Sequence, residues 1–223
     1  MFNSKYSKVL TVILIVVIIG IVATVGYFVY DIYVVKAKNN KAQEVLEEFS
    51  NASVRREFDK SDKKENDSAQ NPLDSINSVD SNPVTTNPEK VYMEGYEVMG
   101  TIEIPKTNVN LPILEEVTKK SLETSVAILY GVGLNEPGNT TIVGHNYRNG
   151  LFFSDNKKLA VGDVVYITDQ AGNRVTYEIY DRFQTTPSDA KYMERDTEGV
   201  REISLSTCTD DSKARLILLA KEK

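Results

Sequence analysis

The chain has 223 residues, with 26 basic against 32 acidic residues and a formal net charge of −6. That length accommodates one ordinary domain with appendages, and no basic patch with interleaved aromatics marks a nucleic-acid surface. One cysteine and one histidine exclude an intramolecular disulfide and a structural zinc site of the Cys/His type.

In chain order the first element is residues 9–30, a stretch without a charge. A helix of about 20 apolar residues crosses a hydrocarbon core of roughly 30 Å. A cleavable signal has a shorter apolar region and a small-x-small cleavage site, and neither is present. No lipoprotein-type cysteine follows. The segment reads as an uncleaved membrane anchor, with a buried core helix as the alternative. Lys5 and Lys8 precede it and Lys36, Lys38 and Lys41 follow it, so the flanking charges leave orientation open. Residues 1–36 are thus the tip and transmembrane anchor.

Residues 37–90 read as a helical stalk and a flexible polar spacer. Ala42, Val45, Leu46 and Phe49 stand at helical spacing. Beyond Ser50, Asp, Ser, Asn and Lys dominate, and Pro72, Pro83 and Pro88 interrupt any helix. Such a composition does not bury enough apolar surface to offset its ordering entropy.

Residues 91–223 read as one compact domain. Alternating or apolar runs recur at 99–104, 109–114, 140–143, 163–168, 174–183, 202–207 and 215–221, and 119–124 is one or two helical turns. Asn135-Glu136-Pro137-Gly138-Asn139 is strong turn chemistry. Asp169-Gln170-Ala171-Gly172-Asn173 between two runs signals a hairpin. Seven or eight short strands at this spacing predict an all-β barrel or sandwich.

Three side chains stand at the edges of these runs. Cys208 closes Ile203-Ser204-Leu205-Ser206-Thr207-Cys208 and precedes a polar loop. A lone cysteine is usually a small buried hydrophobe, but a strand-to-loop junction is more exposed than mid-strand. His145 follows Thr141-Ile142-Val143-Gly144 and opens another loop. It is the only side chain here that ordinarily titrates near neutrality, so any Cys-His pair must use it. Arg215 opens Leu216-Ile217-Leu218-Leu219-Ala220, seven residues after the cysteine. Its bland reading is a salt bridge with Asp210 or Asp211; a short loop would instead fold its donor fork back beside the thiol.

These residues in these contexts resemble the sortase family of Gram-positive bacteria, over residues 97–221. Ser204-Leu205-Ser206-Thr207-Cys208 is similar to the family's Thr-Leu-x-Thr-Cys strand, and Val143-Gly144-His145 to its Gly-His segment. The separation of 208 − 145 = 63 residues is typical of the family. Ile104-Pro105-Lys106, Val109 with Leu111-Pro112-Ile113, and Pro137-Gly138-Asn139-Thr140 are similar to its early strands and turns. Ser204 stands where threonine is usual, and Asn146 where many members have arginine. No second span and no Asp-Pro-aromatic lid is found, which argues against the pilin-polymerising class. The short 208–215 segment leaves little room for a class B insertion, so a class A-like or class D-like member is expected.

The resemblance implies a sortase-type eight-stranded β-barrel with short helices, preceded by one transmembrane helix. It implies a cysteine transpeptidase that cleaves a Leu-Pro-x-Thr-Gly type sorting signal between Thr and Gly. Cys208 would be the nucleophile and form a thioester, His145 the general acid and then base, and Arg215 a hydrogen-bond donor to the oxyanion or the signal's backbone. Free thiols titrate near pH 8.5, so neighbouring positive charge helps form the thiolate. Partners would be a surface-protein or pilin sorting signal and an amine acceptor such as a peptidoglycan precursor. Thr207 is expected beside the thiol, and Pro187, Ala190, Tyr192 and Met193 in the 184–200 loop as substrate contacts. No cofactor and no metal is expected. Glu194, Asp196 and Glu198 offer carboxylates for calcium, but such a loop is usually only solvated. The implied place is the cell membrane, single-pass, with the N-terminus cytoplasmic and the catalytic domain outside. Lys36, Lys38 and Lys41 would then meet anionic headgroups. The competing readings are a non-catalytic β-domain that binds wall polymer or protein, and a hydrolytic cysteine peptidase.

Overall fold

The computed structural model describes residues 4–66 and 90–223, with side chains for 9–55 and 90–223. It divides into two compact units, one ending at Lys41 and one starting at Ala42. Helix α1 spans Ser4–Asn66. Within it lies a window of mean hydropathy 3.0, none of it buried. Every side chain over residues 9–30 is exposed. A helix apolar on all sides and packed against nothing is suited to lipid contact, and this one is long enough to cross a membrane.

The same helix runs on past Ser50 to Asn66, into the segment expected to be an irregular spacer. Residues 50–66 contain no Gly or Pro, and the Glu, Lys and Arg among them are good helix formers. Ala42, Val45, Phe49 and Ala52 are buried and form one stripe at helical spacing. Ser53 lies at the turn holding Gly172, where an added Cβ would sit 3.6 Å from its own. The rest of the expected spacer, residues 67–89, lies outside the described residues.

The second unit is built on nine strands. They are β1 (Tyr92–Met93), β2 (Tyr96–Ile104), β3 (Val109–Leu114), β4 (Val126–Gly131), β5 (Gly138–Val143), β6 (Val164–Asp169), β7 (Arg174–Thr185), β8 (Arg201–Cys208) and β9 (Arg215–Glu222). The order is β1-β2-β3-β4-β5-β8-β9-β7-β6, and β6 pairs back onto β2. That pairing closes an eight-stranded barrel, with β1 added as a short hairpin on β2. Closure removes the exposed sheet edges. The hairpin expected around Gly172 is the β6–β7 turn.

Two joints are parallel, β3–β4 and β5–β8. Parallel neighbours need a crossover. The first is made by helix α2 (Lys119–Thr124), whose N-terminus Thr118 and Ser121 close with a reciprocal capping box. The second is made by the β6–β7 hairpin and the loop after it. Because β5 and β8 run the same way, both leave the barrel at one rim, and antiparallel β9 enters at that rim.

Alternation sorts the side chains. Ile142, Ile203, Leu205, Leu218 and Ala220 face inward with Ile102, Ile113, Ile167 and Ile179, and all are essentially inaccessible. The opposite face of β8 carries Ser204, Ser206 and Cys208. Ser204 and Ser206 are buried too, because the loop between β7 and β8 lies over them. At the other rim, Tyr177 donates from its hydroxyl to Asn135 Oδ1 at 3.0 Å. Burial there raises the phenol's pKa far above its ordinary value.

Candidate active site

Cys208 is the last residue of β8 and Arg215 the first of β9, and the two face each other in the ladder. The six-residue connection between them turns through Ser212, whose φ is +61°, and is tied by Thr209 N donating to Ala214 O at 3.0 Å. Arg215 Nη1 donates to Cys208 Sγ at 3.1 Å. Both residues are partly buried. Asp210 instead pairs with Lys157 at 2.7 Å, and Asp211 accepts from the Thr209 hydroxyl and the Lys213 N–H.

His145 stands two residues past the end of β5. The β5–β8 ladder ends with Val143 opposite Ser206, and Gly144 N donates to Ser206 O at 3.2 Å. Continued for two residues, that register would set His145 level with Cys208 on the outward side, although the ladder itself ends at Val143. Gly144 is required by packing rather than by a turn. A Cβ there would lie 2.8 Å from Val126 Cγ1 and 2.9 Å from the ring of Phe153, and Phe153 is wholly buried. His145 O accepts from Phe153 N at 3.1 Å, which closes the loop between them, with Asn146 bridged to Phe152. Tyr147 packs against His145 with ring centroids 5.0 Å apart and the rings inclined at 46°. Burial, then Glu123, raises the Tyr147 pKa.

The other expected site residues fall in three places. Thr207 is buried and adjoins Cys208, but alternation turns it to the inner face, where its hydroxyl donates to Gly144 O at 2.7 Å. It lines a cavity of about 350 Å³ at the rim with Asn146, Phe153, Lys157 and the Cys208 end of β8. Tyr192 is 7% exposed, packs with Ile217 and Leu219, and donates to Ser206 Oγ at 3.3 Å. Met193 packs beside it and borders an open groove of about 710 Å³ with Tyr130, Val132 and Pro137. Pro187 and Ala190 stand exposed on the loop, away from both cavities.

Two residues were not anticipated. Arg195 donates to Tyr192 O and Ser204 Oγ, each at 2.7 Å, and pairs with Glu202. Asn139 donates to Met193 O at 2.9 Å and accepts from Ser204 Oγ at 3.0 Å. Together they fasten the β7–β8 loop to the outer face of the barrel. The only cue was an arginine amid Glu194, Asp196 and Glu198. Asp196 accepts from the Glu198 N–H at 2.8 Å, a local turn. Among the described residues no three His, Cys, Asp or Glu side chains gather to hold a metal ion.

The profile of the Sortase domain matches residues 102–223, more than half of the chain. The chain belongs to the sortase family. Sortase A of Bacillus anthracis is 32% identical over 125 residues, covering 54% of this chain and 58% of that protein. Sortase A from Corynebacterium diphtheriae superposes with a TM-score of 0.53 at 28% identity, covering 57% of this chain and 61% of that one. A Clostridium perfringens Sortase D5 transpeptidase gives a TM-score of 0.52 at 32% identity, covering 56% and 79%. The match to the Bacillus anthracis relative spans less than two thirds of that protein's length. The closed barrel with its N-terminal apolar helix is therefore a sortase fold, as the sequence motifs implied.

Proposed function

We propose that this sortase is a membrane-anchored cysteine transpeptidase acting on a Leu-Pro-x-Thr-Gly type sorting signal. The observation that carries the reading is the 3.1 Å contact from Arg215 Nη1 to Cys208 Sγ, with His145 two residues past the end of β5, the strand that adjoins β8. A sulfur nucleophile, a proton carrier and a fixed donor fork on one strand face are what acyl transfer needs.

The Cys208 thiolate attacks the threonine carbonyl carbon. Arg215 donates to the oxyanion that forms. The C–N bond to glycine breaks as His145 protonates the departing amine, leaving a thioester on Cys208. An acceptor amine, from a wall precursor or a pilin lysine, then attacks that thioester. It gives a proton to His145 and expels the thiolate, so an amide is made and the enzyme is restored. The groove beside Met193 starts near Asn139, six residues before His145 on β5. That is about 20 Å along a strand, within reach of an extended signal of five or six residues.

Substrate and wall precursor lie outside the cell. The reading therefore puts the barrel outside and the N-terminus in the cytoplasm, with α1 as the anchor. The test uses the unit from Ala42 onward, which includes the buried Ala42–Ala52 stripe. It is incubated with a Leu-Pro-x-Thr-Gly peptide, with and without an amine acceptor. Cleavage with acceptor incorporation, abolished by Cys208→Ala, is expected. No cleavage, or cleavage that survives Cys208→Ala, sinks the reading. Cleavage without incorporation makes the enzyme a hydrolase.

A further inference from the structure

The backbone ladder between β5 and β8 stops at Val143 and Ser206, two residues short of His145 and Cys208. Past that point His145 lies in the loop after β5 while Cys208 stays in β8, paired with Arg215 of β9, so the β5–β8 ladder does not itself tie the two together. We propose that Asn146 is a positioning residue that clamps the His145 loop to the Cys208 end of β8 and the loop beyond it, and so sets the relation of His145 to Cys208. The inference rests on the transpeptidase reading of that pair.

Both ends of the Asn146 amide are engaged. Its Nδ2 donates to Cys208 O at 3.0 Å and to Asp210 Oδ1 at 2.9 Å. Its Oδ1 accepts from Arg148 N at 3.0 Å. One short side chain therefore links the nucleophile's own carbonyl, the loop beyond it and the histidine loop. Two outer links run in parallel: Lys157 Nζ to Asp210 Oδ2 at 2.7 Å and Arg148 Nη2 to Ser212 Oγ at 3.1 Å. These outer partners are exposed, where solvent weakens such contacts. The Asn146 bonds are the inner pair, and Asn146 itself is partly buried. None of them occupies the thiol, the imidazole or the Arg215 fork, so the clamp fixes geometry and leaves the chemistry free. A serine is too short to span both loops, and an aspartate presents an acceptor to Cys208 O and a like charge to Asp210.

The test compares the full chain in detergent micelles with Asn146→Ala and Asn146→Asp. Initial rates on a Leu-Pro-x-Thr-Gly peptide give kcat and KM. Alkylation of Cys208 by iodoacetamide at pH 7 gives a readout that needs no substrate, and thermal melts give the folded fraction. Misalignment of a reacting pair falls on kcat. Expected are a kcat lowered roughly tenfold for Asn146→Ala and further for Asn146→Asp, a KM within about twofold, and alkylation slowed in the same order. A kcat within about twofold of the parent overturns the clamp. So does a loss explained entirely by the unfolded fraction, with normal alkylation of the folded protein. If the parent chain cleaves no such peptide, the transpeptidase reading fails, and the alkylation rates alone decide the clamp: equal rates overturn it and slowed rates support it.

Discussion

At the residue scale, the site depends on donor geometry as much as on charge. Arg215→Lys keeps a cation beside Cys208 but replaces a rigid fork with a flexible ammonium. A fall in kcat of roughly 10²–10³ is expected, the scale seen when one preorganised oxyanion donor is lost; a stopped peptide-cleavage assay measures it. Asp210 gives a pH signature. Lys157, then Asn146, holds its carboxyl below the ordinary carboxylate value. A depressed folded pKa contributes stability that is present above the unfolded value and is lost as pH falls through the folded one. Asp210→Asn should therefore lower the melting temperature near neutrality and match the parent at strongly acid pH. A constant gap across pH would mean that the charge is not what Asp210 contributes. Thr207 shows what a motif conceals. Its neighbourhood to Cys208 was legible from adjacency in the chain. That it faces inward and bonds Gly144 O depends on register with β5, which a single strand's sequence does not carry.

At the scale of elements, the strands were legible because alternation with turn chemistry is a local signal, and β6–β7 around Gly172 appears where the pattern set it. Two things were not local. The 50–66 stretch was assigned to the spacer on polarity, whereas α1 continues through it, aided by the buried stripe that reaches Ala52. Phe49→Ala in the unit from Ala42 should cost about 3 kcal/mol of stability, read by denaturant unfolding; an unchanged midpoint would mean that the stripe contributes nothing. The β7–β8 loop was read as a surface with apolar contacts, yet Tyr192 is its anchor and Arg195 its lock. Arg195 reaches the loop's own Tyr192 O and two residues of β8, so it holds the loop through bonds that involve none of Cys208, His145 and Arg215. Arg195→Ala is expected to raise KM several-fold while kcat changes little, because loosening a loop that lines a groove taxes binding first. A kcat loss at constant KM would place Arg195 in the chemistry instead.

At the scale of the whole molecule, one thiol, one imidazole and one guanidinium come from three strands that are neighbours only after the barrel closes. The sequence displayed the three and their spacing; their meeting needed the strand order β5-β8-β9. The membrane side of the molecule is simpler. Residues 9–30 were legible as a candidate span, and α1 is apolar and exposed throughout them. If the barrel is outside, Lys36, Lys38 and Lys41 meet the outer leaflet's headgroups. Replacing all three with Gln should weaken binding of the full chain to anionic vesicles relative to neutral ones. Equal partitioning would leave those lysines without that role.

The parallel β5–β8 joint has a kinetic consequence. The imidazole strand is synthesised first, and its partner arrives only after the β6–β7 hairpin has been laid down. Arg215 comes later still, on the strand that wedges between β8 and β7. Contacts this distant in sequence form slowly. Until that wedge closes, the Cys208 thiol lacks the guanidinium that faces it; on the proposed mechanism, competence to acylate then waits for β9. Refolding followed by intrinsic fluorescence should run ahead of recovered turnover, and the delay between the two signals times that closure.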